Sequence, residues 1–282
     1  MAVRSRRFAQ VDVFSAKPYR GNPVAVVLEA EGLDHQTMLG IARWTNLSET
    51  TFVVPSVDPA ADYGVRIFTP GGELPFAGHP TLGTAHAWAE AGGTPHDPGV
   101  IVQECKAGLV RVRRGEAGML SFAAPPTVRT GDLDPDHLEQ IVDAFGVTLD
   151  QVIGHQWVDN GPGWAVLRLA TAQQVLDLEP DFSRIPQAMV GAVGAYPAGS
   201  EHDYELRAFA PGVGVYEDPV CGSMNASVAQ WFARTGVVTT GYRVAQGRRL
   251  DRVGDITIGI DPDGAVWVGG ATVTLFAGTA LA

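Results

Sequence analysis

The sequence predicts an α+β fold built as two similar halves, and three observations carry that prediction. Arg66-Ile67-Phe68-Thr69-Pro70 returns as Arg207-Ala208-Phe209-Ala210-Pro211, 141 residues on in a chain of 282. Each copy leads into Glu-x-Pro-x-x-Gly, as Glu73, Pro75, Gly78 and as Glu217, Pro219, Gly222, now at an offset of 144. Ala25-Val26 finds its counterpart in Ala165-Val166, so three matched places keep one order, which reads as a duplication. The 34 glycines and 19 prolines favour short strands joined by turns over long helices. Glycine- and proline-bearing connections around 115–135 place the boundary, giving domains at 1–125 and 126–282. The final strand is a candidate to cross back to the first domain.

The elements follow from local chemistry. Asp12–Phe14, Val24–Leu28, Thr51–Val54, Val65–Phe68, Ile101–Glu104 and Leu109–Arg113 are valine-rich runs bounded by turn residues, and read as strands. Met38, Ile41 and Ala42 after Asp34 fit a helix capped by that aspartate. A second helix opens at His79 with Pro80 at its first position and stops at Gly92-Gly93. A third opens at Ser223, a strong N-cap type, and runs past Trp231 and Phe232 to Gly236.

Composition excludes several classes. A formal charge of −11 argues against nucleic acid, whose phosphates need a basic surface. A small anionic substrate remains compatible, because a few backbone N–H groups suffice to hold a carboxylate. Met1–Arg7 is basic, but Asp12 and Lys17 interrupt any apolar run behind it, so no signal peptide is expected. No segment reaches the ~18 apolar residues of a membrane span. Two cysteines, Cys105 and Cys221, are too few for a disulfide framework or a cysteine metal site, and the expected compartment is the cytoplasm. His79 and His86 lie seven apart, not the four of a zinc helix, so no metal is expected. Nor does the chain carry a G-x-G-x-x-G turn or a P-loop, so no cofactor is expected.

The duplicated turns are the candidate site. Each is strand, turn, glycine, helix. Gly78 and Gly222 let backbone come close to a ligand, and the amides that follow are the unpaired donors of a helix N-terminus. Read alone, a glycine before a helix is also common in proteins with no site there.

The reaction comes from a resemblance. Gly21-Asn22-Pro23, Asn46-Leu47-Ser48-Glu49-Thr50, the run from Arg66 through Gly78-His79-Pro80 to Ala85, and Glu217-Asp218-Pro219-Val220-Cys221-Gly222-Ser223 resemble the motifs of the PhzF-like, phenazine-biosynthesis family. The motifs stand in order and span about residues 10 to 236. The resemblance implies the diaminopimelate-epimerase fold: two pseudo-symmetric domains, each a barrel-like mixed sheet around a central helix, with a site between them. It implies an isomerase without cofactor or metal, acting on a small organic acid, typically as a homodimer. Glu49 would shuttle the proton, while His79, Asp218 and Ser223 bind and orient substrate, with Gly78, Gly222 and, more loosely, Asn22 at the cleft.

Each assignment has a plainer alternative. Glu49 precedes an apolar strand, where desolvation can poise a carboxylate for proton transfer, or it is a solvated turn residue. His79 can polarise a carbonyl or serve the core. Asp218 is otherwise a turn aspartate and Ser223 a cap. Cys221 departs from the family, which often carries threonine there. Two-cysteine epimerases of the same fold use a cysteine in each half, but the partner position here is Ala77. A racemase using Glu49 with Cys221 is one alternative; a lyase or a non-catalytic binding protein on this fold is another.

Overall fold

The computed structural model describes residues 4–115 and 118–282. The first three residues of the basic Met1–Arg7 stretch, and two of the 115–135 connection, lie outside the described residues. In chain order the first elements are β1 (Ser5–Val13), β2 (Asn22–Val27), α1 (His35–Thr45), β3 (Glu49–Val54) and β4 (Tyr63–Phe68). β5 (Glu73–Leu74), α2 (Gly78–Glu90), β6 (Val100–Cys105), β7 (Gly108–Arg114) and β8 (Leu120–Ala123) follow. Next come α3 (Pro135–Phe145), β9 (Val152–Trp157), β10 (Ala165–Thr171), α4 (Ala172–Leu176), β11 (Val190–Ala195) and β12 (Tyr204–Ala210). The last are β13 (Val215–Asp218), α5 (Gly222–Arg234), β14 (Tyr242–Gln246), β15 (Gly254–Ile260), β16 (Val266–Gly270) and β17 (Thr272–Leu281).

The chain forms two compact units, one holding residues up to Ala123 together with Gly269–Ala282, the other Ala124–Val268. Their topologies repeat. β1 runs antiparallel to β2, β2 parallel to β3, β3 antiparallel to β4, β4 antiparallel to β5 and parallel to β6. In the second unit β9 is antiparallel to β10, β10 parallel to β11, β11 antiparallel to β12, and β12 antiparallel to β13 and parallel to β14. In both, a long helix leaves the hairpin at the glycine of Glu-x-Pro-x-x-Gly. The fold is thus α+β and pseudo-symmetric, of the diaminopimelate-epimerase type.

The repeated residues explain part of this. Arg66 Nε and Nη2 donate to the two oxygens of Glu73 at 2.7 and 2.9 Å, tying β4 to the turn before α2. Arg207 does the same to Glu217 at 2.9 and 2.8 Å. The first pair is partly solvated, with Arg66 30% exposed; the second is buried, with Arg207 5% and Glu217 11% exposed.

α2 is the centre of its unit. Gly78 to Ala85 and Ala87 are all buried, and the helix packs against β1, β2, β3, β6, β7, β8 and β17. A helix covered on every side shows no amphipathic stripe. Its backbone comes so near β2 that a Cβ on Gly83 would stand 2.3 Å from Val24 Cγ1. α5 is likewise buried along Met224–Ala229, Trp231 and Phe232. Elsewhere Phe52 and Phe68 join Met38 and Leu39 of α1 in one apolar cluster of the first unit. Ile141, Phe145, Leu167 and Phe209 anchor another in the second.

Most strand ends differ from the sequence reading by one or two residues, and the starts of β1, α2 and α5 differ for identifiable reasons. β1 begins at Ser5 rather than near Asp12, because its partner is β17, where Arg6 faces Ala280, a pairing no local pattern announces. α2 begins at Gly78, not His79, and Pro80 is its third residue. α5 begins at Gly222 with Cys221 at the N-cap, so Ser223 is the second helical residue and not the cap. Asp34 does cap α1, its Oδ1 accepting from Thr37 N at 2.8 Å. Among the described residues no helix is long and apolar enough to cross a membrane.

Candidate active site

In the first unit Glu49 opens β3 just after the left-handed Asn46 that ends α1. Thr50 and Thr51 behind it are fully buried. The Thr51 and Thr84 hydroxyls stand 2.7 Å apart, stitching β3 to α2 one turn beyond His79. Glu49 is therefore held on a strand seated against the central helix, as a positioned acid or base must be. Its Oε2 lies 3.3 Å from His79 Nε2, with the two side chains 14% and 4% exposed.

Burial pushes the His79 ring down to about 3, so it is neutral at physiological pH and the contact is no ion pair. The ring also donates to the backbone of Pro23, which has only a carbonyl to offer. Nε2 faces Glu49, so Nδ1 serves Pro23. A neutral imidazole with Nδ1 donating presents Nε2 as a bare acceptor.

The turn holding Pro23 depends on Asp12, to which the sequence reading gave no part in the site. Asp12 Oδ2 accepts from Arg20 N at 2.9 Å and Gly21 N at 3.0 Å. A Cβ on Gly21 would fall 2.2 Å from the Val13 carbonyl oxygen, so only glycine closes here. Asn22, fully buried, starts β2 directly after it.

In the second unit Asp218, Cys221, Gly222 and Ser223 come together where β13 passes into α5. Asp218 Oδ1 accepts from Val220 N at 3.0 Å. Gln246 clamps the turn: its Oε1 accepts from Cys221 N at 3.1 Å and Asn225 Nδ2 at 2.9 Å, and its Nε2 donates to the Asp218 carbonyl at 3.1 Å. Cys221 Sγ lies 3.5 Å from Ser223 Oγ. Burial pushes the Cys221 thiol well above its usual range, and the neighbouring Asp218 charge adds to this, so it is a neutral thiol at physiological pH. Neither Ala77 nor Cys221 caps its helix through a side chain.

Sequence reasoning missed the groups that hold these residues. Gln246 is 24 positions beyond Gly222, and Trp164 reaches Ser223 from 59 positions away. The available signal for Trp164 was the repeat itself, since it directly precedes the matched Ala165-Val166.

The phenazine biosynthesis-like family model matches residues 11–278. The chain belongs to that family. It is 37% identical to the fission yeast Schizosaccharomyces pombe protein named antisense-enhancing sequence 1, over 96% of this chain and 97% of that one. It is 32% identical to the trans-2,3-dihydro-3-hydroxyanthranilate isomerase of Pseudomonas aeruginosa, over 87% of each. Among solved structures it superposes on a PhzF-family protein of Enterococcus faecalis with a TM-score of 0.80 and 25% identity, over 98% of this chain and 99% of that one. As a member of this PhzF-like family the chain is an isomerase.

Proposed function

We propose that this isomerase moves one proton between two carbons of a small unsaturated carboxylate, with Glu49 as the only carrier and no metal or cofactor. The observation that supports it most is the buried Glu49–His79 contact, with His79 turned by Pro23 so that a bare nitrogen faces the carboxyl group. A Glu49 carboxylate takes the proton from one carbon; the carboxylic acid so formed donates to His79 Nε2 while it waits. It then returns the proton to another carbon on the same face. Imidazole thus gives the loaded form a hydrogen bond that the carboxylate cannot make. Under this reading Ser223, Asp218, Asn22 and the amides after Gly78 and Gly222 hold the substrate and the charge that develops on it.

The relative from Pseudomonas aeruginosa makes trans-2,3-dihydro-3-hydroxyanthranilate the first substrate to offer. The test is isomerisation of that compound in D2O, followed by deuterium entry at the carbon that gains a proton. No turnover and no exchange, with this compound and with related cyclic unsaturated acids, would count against the reading.

Two further outcomes separate it from its rivals. The Glu49–Cys221 racemase needs the thiol as second acid. Cys221→Thr is expected to leave turnover within about threefold, because a single carrier needs no acid on the opposite face. Loss of most activity in a folded Cys221→Thr protein would favour the racemase. Turnover is also expected to survive dialysis against a strong chelator; loss that a divalent ion restores would remove the metal-free part of the proposal.

A further inference from the structure

The geometry points to Trp164 as a positioning residue that fixes the Ser223 hydroxyl as a hydrogen-bond donor toward a substrate carboxylate, an inference that rests on Ser223 contacting substrate. His79 and Ser223 occupy the same place in the two halves, each the residue after the glycine that opens a central helix. Each is anchored by a residue just before a matched Ala-Val pair: His79 by Pro23 within β2, two residues before Ala25, and Ser223 by Trp164, one residue before Ala165 at the start of β10. The anchors have opposite polarity. Pro23 accepts, which leaves His79 a bare nitrogen. Trp164 Nε1 donates to Ser223 Oγ at 3.0 Å.

An indole N–H can only donate, so Ser223 Oγ must accept from it and keeps its own proton to give. Trp164 is 3% exposed, so no water competes freely for that indole. The turn is pinned as well: Asn160 Nδ2 and Ser227 Oγ both donate to the Ser223 carbonyl, at 3.0 and 3.2 Å. The neighbour within reach of the Ser223 proton is Cys221 Sγ at 3.5 Å, a weak acceptor that an anionic oxygen displaces readily. The two halves are therefore specialised. One presents an acceptor beside the proton carrier, and the other presents a donor suited to a carboxylate.

The test compares two probes by calorimetry: 3-hydroxyanthranilate, the aromatic acid with the ring and substituents of the relatives' substrate, and 2-aminophenol, which lacks only the carboxylate. Wild-type protein is expected to prefer the acid. Ser223→Ala and Trp164→Phe should each cut affinity for the acid about tenfold and leave 2-aminophenol unchanged. The double variant should bind no worse than either single one, because both remove the same donor. A merely structural role for Trp164 would weaken both probes together. Should Trp164→Phe fail to fold, the benzothienyl analogue of tryptophan at 164 keeps the ring and removes only the N–H. If Ser223→Ala loses the preference and both Trp164 variants keep it, the positioning role falls alone. If wild type shows no preference, or Ser223→Ala keeps it, the substrate role of Ser223 falls and this inference with it.

Discussion

Glu49→Gln is expected to bind substrate nearly as well as wild type and to lose on the order of 10²-fold or more in turnover. Glutamine has the size of glutamate, and its amide N–H can donate to the bare His79 Nε2 where the loaded carboxyl group would. The 3.3 Å contact and the packing of β3 against α2 are therefore retained. What is lost, on the proposed mechanism, is the group that takes a proton from carbon and holds it. On that mechanism ground-state binding should move little and the barrier much, since the substitution removes the proton carrier and none of the groups proposed to hold substrate. The measurement pairs ligand affinity with solvent-deuterium incorporation, for both proteins, at several pH values. His79 cannot stand in as the carrier, because burial keeps it neutral until about pH 3. A Glu49→Gln protein that exchanges deuterium at the wild-type rate would sink the assignment.

The second large effect concerns stability. Glu217→Ala is expected to destabilise the protein by about 3 kcal/mol or more, and Glu73→Ala by about 1 kcal/mol or less. The two glutamates are equivalents in the duplication and make the same two-point contact with an arginine. Their surroundings differ. Arg207 is almost wholly buried, and without Glu217 its charge would keep the Val175 and Leu178 carbonyls, at 3.1 and 2.7 Å, a long contact to Leu176, the face of the Phe209 ring, and the nearby Glu205, whose own burial pushes it up to about 7. Those groups do not fully neutralise a guanidinium that water cannot reach. Arg66 is 30% exposed, so water replaces much of what Glu73 supplied. Urea unfolding of the two variants side by side decides it. Equal losses would mean that the buried ion pair is no more costly to break than the solvated one.

The halves and the paired turns were legible because each rests on residues close together in the chain, whereas the roles offered for Glu49, His79, Asp218 and Ser223 came from the family resemblance of their motifs. Glu73 to Gly78 and Glu217 to Gly222 are single turns whose proline and glycine carry their own backbone preferences. Repetition then marks two such turns as one design. The strand pattern was legible for the same reason, since alternation and turn residues act over a few positions. Helix starts were less so: Ser223 has the chemistry of an N-cap, yet the helix begins one residue before it. The turn is set by Gln246 and by the hairpin of β12 with β13, and both outweigh a local capping preference of about 1 kcal/mol.

What sequence could not decide is which way each site group points and whether it is charged. His79 is neutral because α2 is buried on all sides, and burial is a property of the packed unit, not of the Gly-His-Pro motif. Its bare nitrogen faces Glu49 because Pro23 takes the other one, through a turn closed by Asp12 and Gly21. Ser223 is anchored by a tryptophan 59 residues away. Hydrogen-bond direction and desolvation arise from atoms within a few ångströms in space, and only the tertiary structure brings residues from distant strands to that range.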